Sequence, residues 1–139
     1  MKLGIVALGR ITFDVSFANE KLSQCLKKLK ETNHELYGNE KLLLEEEDTT
    51  NEINKLKKIN IDKIIVLQIT FTDAVIISNI SNFFQIPLLI WSVPEPRIGG
   101  RIRLNSFCGL NLASHSLSMI GKHFSWIYTD PQKINNKRL

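Results

Sequence analysis

A chain of 139 residues, 43% apolar and 23% charged, is long enough to bury the core of one domain. Its formal charge of +4 is scattered: Lys55, Lys57, Lys58 and the segment from Lys133 to Leu139 supply much of it, and Glu45–Asp48 opposes it. No basic stripe with stacking aromatics marks a nucleic-acid footprint, and no run approaches the roughly 18 apolar residues of a membrane span.

Leu3–Leu8 is a continuous apolar run closed by Gly9, which reads as a buried strand. Asp14 to Lys30 reads as an amphipathic helix, with Val15, Ala18, Leu22, Cys25, Leu26 and Leu29 on one stripe. A weak strand follows, around Glu35–Tyr37 or Lys41–Leu44. Thr49-Thr-Asn-Glu52 has the form of a capping box, opening a helix with Ile53, Leu56 and Ile59 inward. Lys63–Ile69 predicts a strand buried on both faces, and Asp73–Phe84 a helix that is apolar nearly all round and so well covered. Pro87–Trp91 is the next strand. A long loop runs from Trp91 to Gly109, then a helix over Asn111–Lys122 and a last strand over Phe124–Tyr128.

Strands alternating with helices, each strand continuously apolar, imply an α/β protein whose parallel sheet is covered on both faces. Five such strands predict a flavodoxin-like (Rossmann-like) three-layer sandwich of order 2-1-3-4-5 with right-handed crossovers. The domain is expected over residues 1–131, and residues 132–139 form a basic tail. Cys25 falls on the apolar helical face and reads as a small core residue; with Cys108 alone it makes no disulfide framework or metal spacing. The apolar start Met1–Leu8 is too brief for a signal sequence and meets Gly9-Arg10, so a cytoplasmic protein is expected.

Open parallel sheets bind ligands beyond the carboxyl ends of their strands, where the strand order reverses. Here that point collects Gly9 and Arg10 after the first strand and Thr70, Phe71, Thr72 and Asp73 after the third, with the loop from Trp91 overhanging the same edge. A helix opening at Asn111 would add free N–H groups there. Arg10 is either a surface charge or a group placed for an anion or sugar hydroxyl. Asp73 reads first as a helix N-cap, worth about 1 kcal/mol, and second as a ligand contact. Phe71 belongs either to the core or to the C–H face of a sugar. His115 falls with Asn111, Ser114 and Ser118 on the polar side of its helix; His34 and His123 read as surface residues. Arg97, Arg101 and Arg103, with Gly99-Gly100, either form an anion clamp or pair with carboxylates such as Glu95.

Several chemistries lack their signatures. There is no GxGxxG after the first strand and no GxxxxGK[ST], no Ser/Thr-rich nest for an FMN phosphate in Leu8–Asp14, and no GxSxG or Cys/His arrangement. No pair of acids with a His has metal-ligand spacing, and the run Glu45–Asp48 reads as a solvated edge. No catalytic or metal-ligating residue is therefore assigned.

Three stretches, Leu67–Asp73, Trp91–Pro96 and Asn105–Asn111 leading into Ala113-Ser-His115, occur in order on this scaffold. Together the chain from Lys2 to about Pro131 resembles the N-terminal domain of the L-fucose isomerase and L-arabinose isomerase superfamily, especially its fucose isomerase-like members. The resemblance implies a flavodoxin-like domain of a much longer aldose–ketose isomerase. In that family the Mn²⁺-type metal is held by Glu, Asp and His of later domains, so this chain itself carries no cofactor and is expected to be inactive alone. It further implies a substrate-recognition and assembly domain that reaches into a neighbouring subunit's site, in a homo-oligomer or with a partner chain carrying the metal. By position Arg10, Thr70–Asp73, Trp91 and His115 are the implied contacts for a pentose or 6-deoxyhexose; Phe71 stands in a differently spaced loop from the family's Trp. The competing readings are a stand-alone oligomerisation module with no small-molecule role, and an anion or nucleotide binder built on the arginine loop. Neither nucleic acid nor membrane is expected as a partner. The chain is read as either a piece of a longer protein or a short gene product.

Overall fold

A computed structural model describes residues 1–135 and 138–139. Nine elements follow one another: β1 (Lys2–Leu8), α1 (Val15–Lys30), β2 (Glu35–Gly38), α2 (Glu46–Leu56), β3 (Lys63–Gln68), α3 (Ala74–Phe83), β4 (Leu88–Ser92), α4 (Ser106–Met119) and β5 (Ser125–Tyr128). The strands form one parallel sheet ordered β2-β1-β3-β4-β5, the flavodoxin-like order expected from the sequence. Both stretches proposed for the second strand are used. Glu35–Gly38 pairs along β1, and Leu43 makes a single parallel bridge to Leu8.

Handedness distributes the helices. A right-handed crossover that steps from β1 outward to β2 puts α1 on one face, and those that step the other way put α2, α3 and α4 on the opposite face. Alternation along each strand supplies both cores. Leu3, Ile5, Ala7, Ile65, Leu67, Leu89 and Trp91 pack under Ala18, Leu22, Cys25 and Leu29 of α1. Val6, Leu8, Ile64, Val66, Leu88 and Ile90 pack under Ile53, Leu56, Ile77, Ile80, Leu110 and Leu117. The residues after Pro131, read as a basic tail, send Ile134 and Leu139 into the α1-side core. Burial pushes the Cys25 thiol well above its ordinary range, as a core cysteine requires.

Three helices differ from expectation, two in where they start and one in how it is covered. α2 opens at Glu46, three residues before Thr49. The run Glu46, Glu47 and Asp48 is its first turn, where carboxylates face the positive end of the helix dipole. Thr49 is therefore interior, its hydroxyl donating to the Glu45 carbonyl, and Thr49–Glu52 is not a capping box. α4 opens at Ser106, five residues before Asn111. The stretch looked like loop because it contains Gly109, but that glycine answers a steric demand. A Cβ there would stand 3.0 Å from the Gln68 amide nitrogen and 3.1 Å from the Phe71 Cα. α3 is covered on one side only: Ile77 and Ile80 are buried while Val75 and Phe83 are exposed. It is an outer-layer helix and not an enclosed one.

Candidate functional site at the carboxyl rim of the sheet

The exits of β1 and β3 face each other and are tied together. The Arg10 backbone N–H donates to Thr70 Oγ1 at 2.9 Å, and the Arg10 guanidinium pairs with the Asp73 carboxylate. Beneath them Gln68 is buried and its amide nitrogen donates to the Thr70 carbonyl at 2.7 Å and to Thr72 Oγ1 at 2.9 Å. A single side chain thus turns the chain from β3 towards α3. Asp73 occupies the N-cap position of α3, but its side chain makes no capping bond, because the carboxylate is directed at Arg10.

A cleft of about 430 Å³ opens between these exits and the start of α2. Gly9, Arg10, Ile11, Thr12, Leu44, Glu45, Glu46, Asp73, Val75 and Ile76 line it. Its walls combine one guanidinium, three carboxylates and four aliphatic side chains, a mixture suited to hydroxyl groups spaced along a short carbon chain. The wall Leu44–Glu46 arrives because β2 lies beside β1. After β2 the chain crosses the exit of β1 at the Leu8–Leu43 bridge, where Gly9 N–H donates to the Leu43 carbonyl at 3.2 Å. The acidic run Glu45–Asp48, read as a solvated edge, contributes Glu45 and Glu46 to this wall.

The residues proposed from sequence separate into three groups. Arg10 and Asp73 line the cleft. Thr70 and Thr72 are buried supports, and Phe71 stands beside the cleft with its ring 6.4 Å from that of Phe13 and its N–H donating to the Leu104 carbonyl at 2.9 Å. Trp91 and His115 lie away from it. Trp91 is a residue of β4 itself, wholly buried in the α1-side core, with its indole N–H donating to the Thr129 carbonyl at 3.1 Å. Its strand runs one residue further than expected, so the overhanging loop begins only at Val93. His115 is exposed on α4. Because that helix opens at Ser106, His115 sits nine residues inside it, about 13 Å down the axis at 1.5 Å per residue, and does not open the helix.

The loop of residues 93–105 is anchored by two carboxylates, Glu95 from within it and Asp14 from the start of α1. Glu95 accepts from the N–H groups of Arg103 at 3.1 Å, Leu104 at 2.5 Å and Asn105 at 2.6 Å. Glu95 therefore serves the backbone and not the loop arginines. Arg103 instead donates from Nε to Asp14 at 2.9 Å and lies 3.8 Å over the Phe17 ring. The Phe17 N–H, at 3.0 Å, and the Arg103 side chain hold the Asp14 carboxyl below the ordinary carboxylate range. Asp14 thereby caps α1 and docks the loop at once.

Among the described residues no three His, Cys, Asp or Glu side chains gather as a metal's donor set would. Asp73 is already committed to Arg10, which leaves Glu45 and Glu46 as neighbours on one turn, so the cleft does not fit a divalent metal centre. No helix among the described residues is long and apolar enough to cross a membrane.

Comparison with known proteins places this geometry in a lineage. Residues 4–139 match the family described as "Fucose/sulfoquinovose isomerase, N-terminal domain". The chain is 30% identical over 128 residues to a sulfoquinovose isomerase of Priestia aryabhattai, covering 92% of this chain and 29% of that one. It is 27% identical over 135 residues to a sulfoquinovose isomerase of Clostridium sp. (strain MSTE9), covering 95% and 29%. A sulfoquinovose isomerase of Alkalicoccus urumqiensis is 36% identical over 72 residues, 52% of this chain and 16% of that one. The chain thus spans less than a third of the length of these relatives. With the match running through nearly every element of the sheet, the chain belongs to the fucose/sulfoquinovose isomerase family, as its N-terminal domain.

Proposed function

We propose that this chain is the substrate-recognition and assembly domain of an aldose–ketose isomerase, and that the cleft between Arg10, Asp73 and Glu45 receives the hydroxyl-bearing chain of the sugar. The observation that carries the reading is the pairing of Arg10 with Asp73 across the two strand exits. It fixes a donor array and an acceptor array on facing walls, over a floor already hydrogen-bonded through Gln68 and Thr70. A carboxylate accepts from a sugar hydroxyl and a guanidinium donates to one, so alternate hydroxyls find complementary partners. Interconverting an aldose and a ketose moves a proton between adjacent carbons and polarises adjacent oxygens. In this reading those groups, and the divalent metal of the family, lie outside these 139 residues.

Assembly belongs to the same reading. Ile11, Val75, Ile98 and Ile102 are each more than half exposed, and all sit on the carboxyl rim: after β1, in the first turn of α3 and in the loop of residues 93–105. Branched aliphatics gathered around a polar cleft mark a surface that another polypeptide covers. An isomerase site completed at that boundary makes the rim both a sugar wall and a protein contact.

Calorimetric titration of the 139-residue chain with pentoses and hexoses tests the cleft. Sugar binding should be weak, and Arg10→Gln or Asp73→Asn should lower affinity about tenfold, the scale of one hydrogen bond to a charged group. The same variants should barely move stability, because both members of the pair reach solvent. Binding that survives both substitutions, or isomerase turnover by the 139 residues alone, would overturn the reading.

A further inference from the structure

The two edges of the sheet are unlike. A free strand edge invites pairing with another chain, and charged side chains are a usual guard against it. At one edge β2 carries the exposed Glu35, and Glu40 and Lys41 follow it, Glu40 paired with Lys30. At the other edge β5 reads Ser125-Trp-Ile-Tyr128, with neither charge nor proline. The helix beside it is equally bare: from Leu104 to Gly121 there is no Asp, Glu, Lys or Arg, in a chain that is 23% charged.

Ile127 points into the α1-side core, so alternation turns Trp126 and Tyr128 to the α4 side, where they stay 57% and 37% exposed. The Phe107 ring, 49% exposed, lies 4.9 Å from that of Tyr128. Helical spacing from Phe107 puts Asn111, Ser114 and Ser118 on the same flank of α4. These are small, uncharged groups over which a second surface can come close. Ser116, whose hydroxyl meets that of Ser78 on α3 at 2.7 Å, marks the opposite flank. The strand's backbone is open as well. Thr129 N–H donates inward to the Ser92 carbonyl at 3.1 Å, and alternate residues of a strand point the other way. The N–H and C=O groups of Trp126 and Tyr128 therefore face outward, with no strand beyond them among the described residues.

We infer that this face binds a second copy of the chain, with β5 pairing antiparallel to its counterpart about a two-fold axis. An axis passing at Ile127 sets Trp126 of each copy opposite Tyr128 of the other as hydrogen-bonded pairs. Every outward group of those two residues then finds a partner, and two five-stranded sheets become one. The same register lays Trp on Tyr across the axis, a favourable cross-strand pairing. Charge favours a second copy as the occupant. The chain carries +4, so two copies meet with least repulsion where neither presents a charge. The Glu95 and Arg97 charges that reach the Tyr128 hydroxyl are of opposite sign. The three rings alone offer roughly 300 Å² per copy. A standard interface takes about 800 Å² per partner, so the strand edge and the α4 flank must join them. The inference does not depend on the sugar cleft.

Analytical ultracentrifugation of the 139-residue chain, paired with hydrogen exchange, provides the test. A dimer should form at micromolar concentration, the weak end of the range for interfaces of this size. The Trp126 and Tyr128 amides should gain protection as it forms. Trp126→Lys should weaken the dimer about a thousandfold, because the substitution falls on both sides of the axis and losing one hot-spot aromatic is worth about thirtyfold. Ser118→Lys, exposed on the α4 flank, reaches the same face without touching β5 and should weaken the dimer in the same direction. Met119→Lys, at a 73% exposed position off that flank, and Ile98→Lys, at a 79% exposed position on the carboxyl rim, add the same charge and should leave the dimer intact. A chain that stays monomeric at every concentration overturns the inference, as does a dimer indifferent to both Trp126→Lys and Ser118→Lys. A dimer that Ile98→Lys dissociates moves the contact to the rim and overturns it too. A dimer whose Trp126 and Tyr128 amides still exchange freely overturns the strand pairing.

Discussion

The two ends of the sheet hold very different cavities. At the amino end, Phe84, Ile86, Leu117, Ile120 and Phe124 line a groove of about 640 Å³, with Lys122 and His123 at its edge. At the carboxyl end the cleft of about 430 Å³ is smaller, and its polar groups are tied to one another across elements distant in sequence. The larger hollow is a gap between the ends of two helices; the smaller one is framed by polar groups from several elements. Convergent polar groups held by a shared floor locate chemistry better than volume does. In a parallel sheet the carboxyl end receives the loops that leave the strands, so such groups converge there.

Substituting the amino-end groove gives the largest effect expected on stability and none on binding. Leu117 is fully buried where that groove meets the core, so Leu117→Ala should cost about 2–5 kcal/mol. At roughly 3 °C per kcal/mol for a chain of this length, the thermal midpoint should fall by about 6–15 °C, while sugar affinity of the folded protein stays unchanged. A matching drop in affinity would mean that the two ends are coupled and the contrast drawn between them is false.

Glu95→Ala should show the opposite balance. Removing the carboxylate leaves three successive amides without their acceptor, that of the buried Leu104 among them, for a cost of about 2 kcal/mol. The loop would loosen, and with it Arg103, the Leu104–Phe71 bond and the wall beside the cleft. Sugar affinity of the cleft should fall further than thermal stability predicts, read by titration alongside a melting curve. Unaltered binding would show that the loop frame does not support the wall beside the cleft.

How far such contrasts could be seen in the sequence depends on which interactions are local. The sheet was legible because strands covered on both faces must be apolar throughout, as Ile64–Leu67 and Leu88–Trp91 are. Arg10 and Asp73 were legible because the strand order alone puts their strand exits side by side. The cleft's third wall, Leu44–Glu46, was not: nothing local says that the chain after β2 bridges to Leu8. Helix starts failed where long-range contacts overrode propensity. Gly109 looks like a breaker until its closeness to Gln68 and Phe71 is known, and the displaced start of α4 is what misplaced His115. Trp91 was misread for a related reason, since an aromatic at a strand end looks available until its N–H is seen committed to Thr129.

Acid should produce the smallest effect, confined to one end. Hydrogen bonds from Phe17 and Arg103 keep the Asp14 carboxyl below its ordinary 3.8. For Asp130, which follows β5, burial pushes the carboxyl upward, but bonds from Lys21 Nζ at 2.7 Å and from the Gln132 N–H at 2.9 Å outweigh it, and the net direction is again downward. A carboxyl whose folded value is depressed contributes stability that is fully present above its unfolded value of about 4 and is lost as pH falls through the lower folded one. The window is therefore below about pH 4, and both groups sit at the carboxyl end. Hydrogen exchange at pH 3, corrected for intrinsic rate and compared with pH 6, should show the Phe17 and Gln132 amides losing protection while the β1–β3 ladder keeps it. Asp14→Asn should remove the pH dependence at Phe17 and not at Gln132, since it is the Phe17 amide that donates to the Asp14 carboxylate. A uniform loss of protection along the sheet would instead make rim and core one cooperative unit, with no separately breakable binding end.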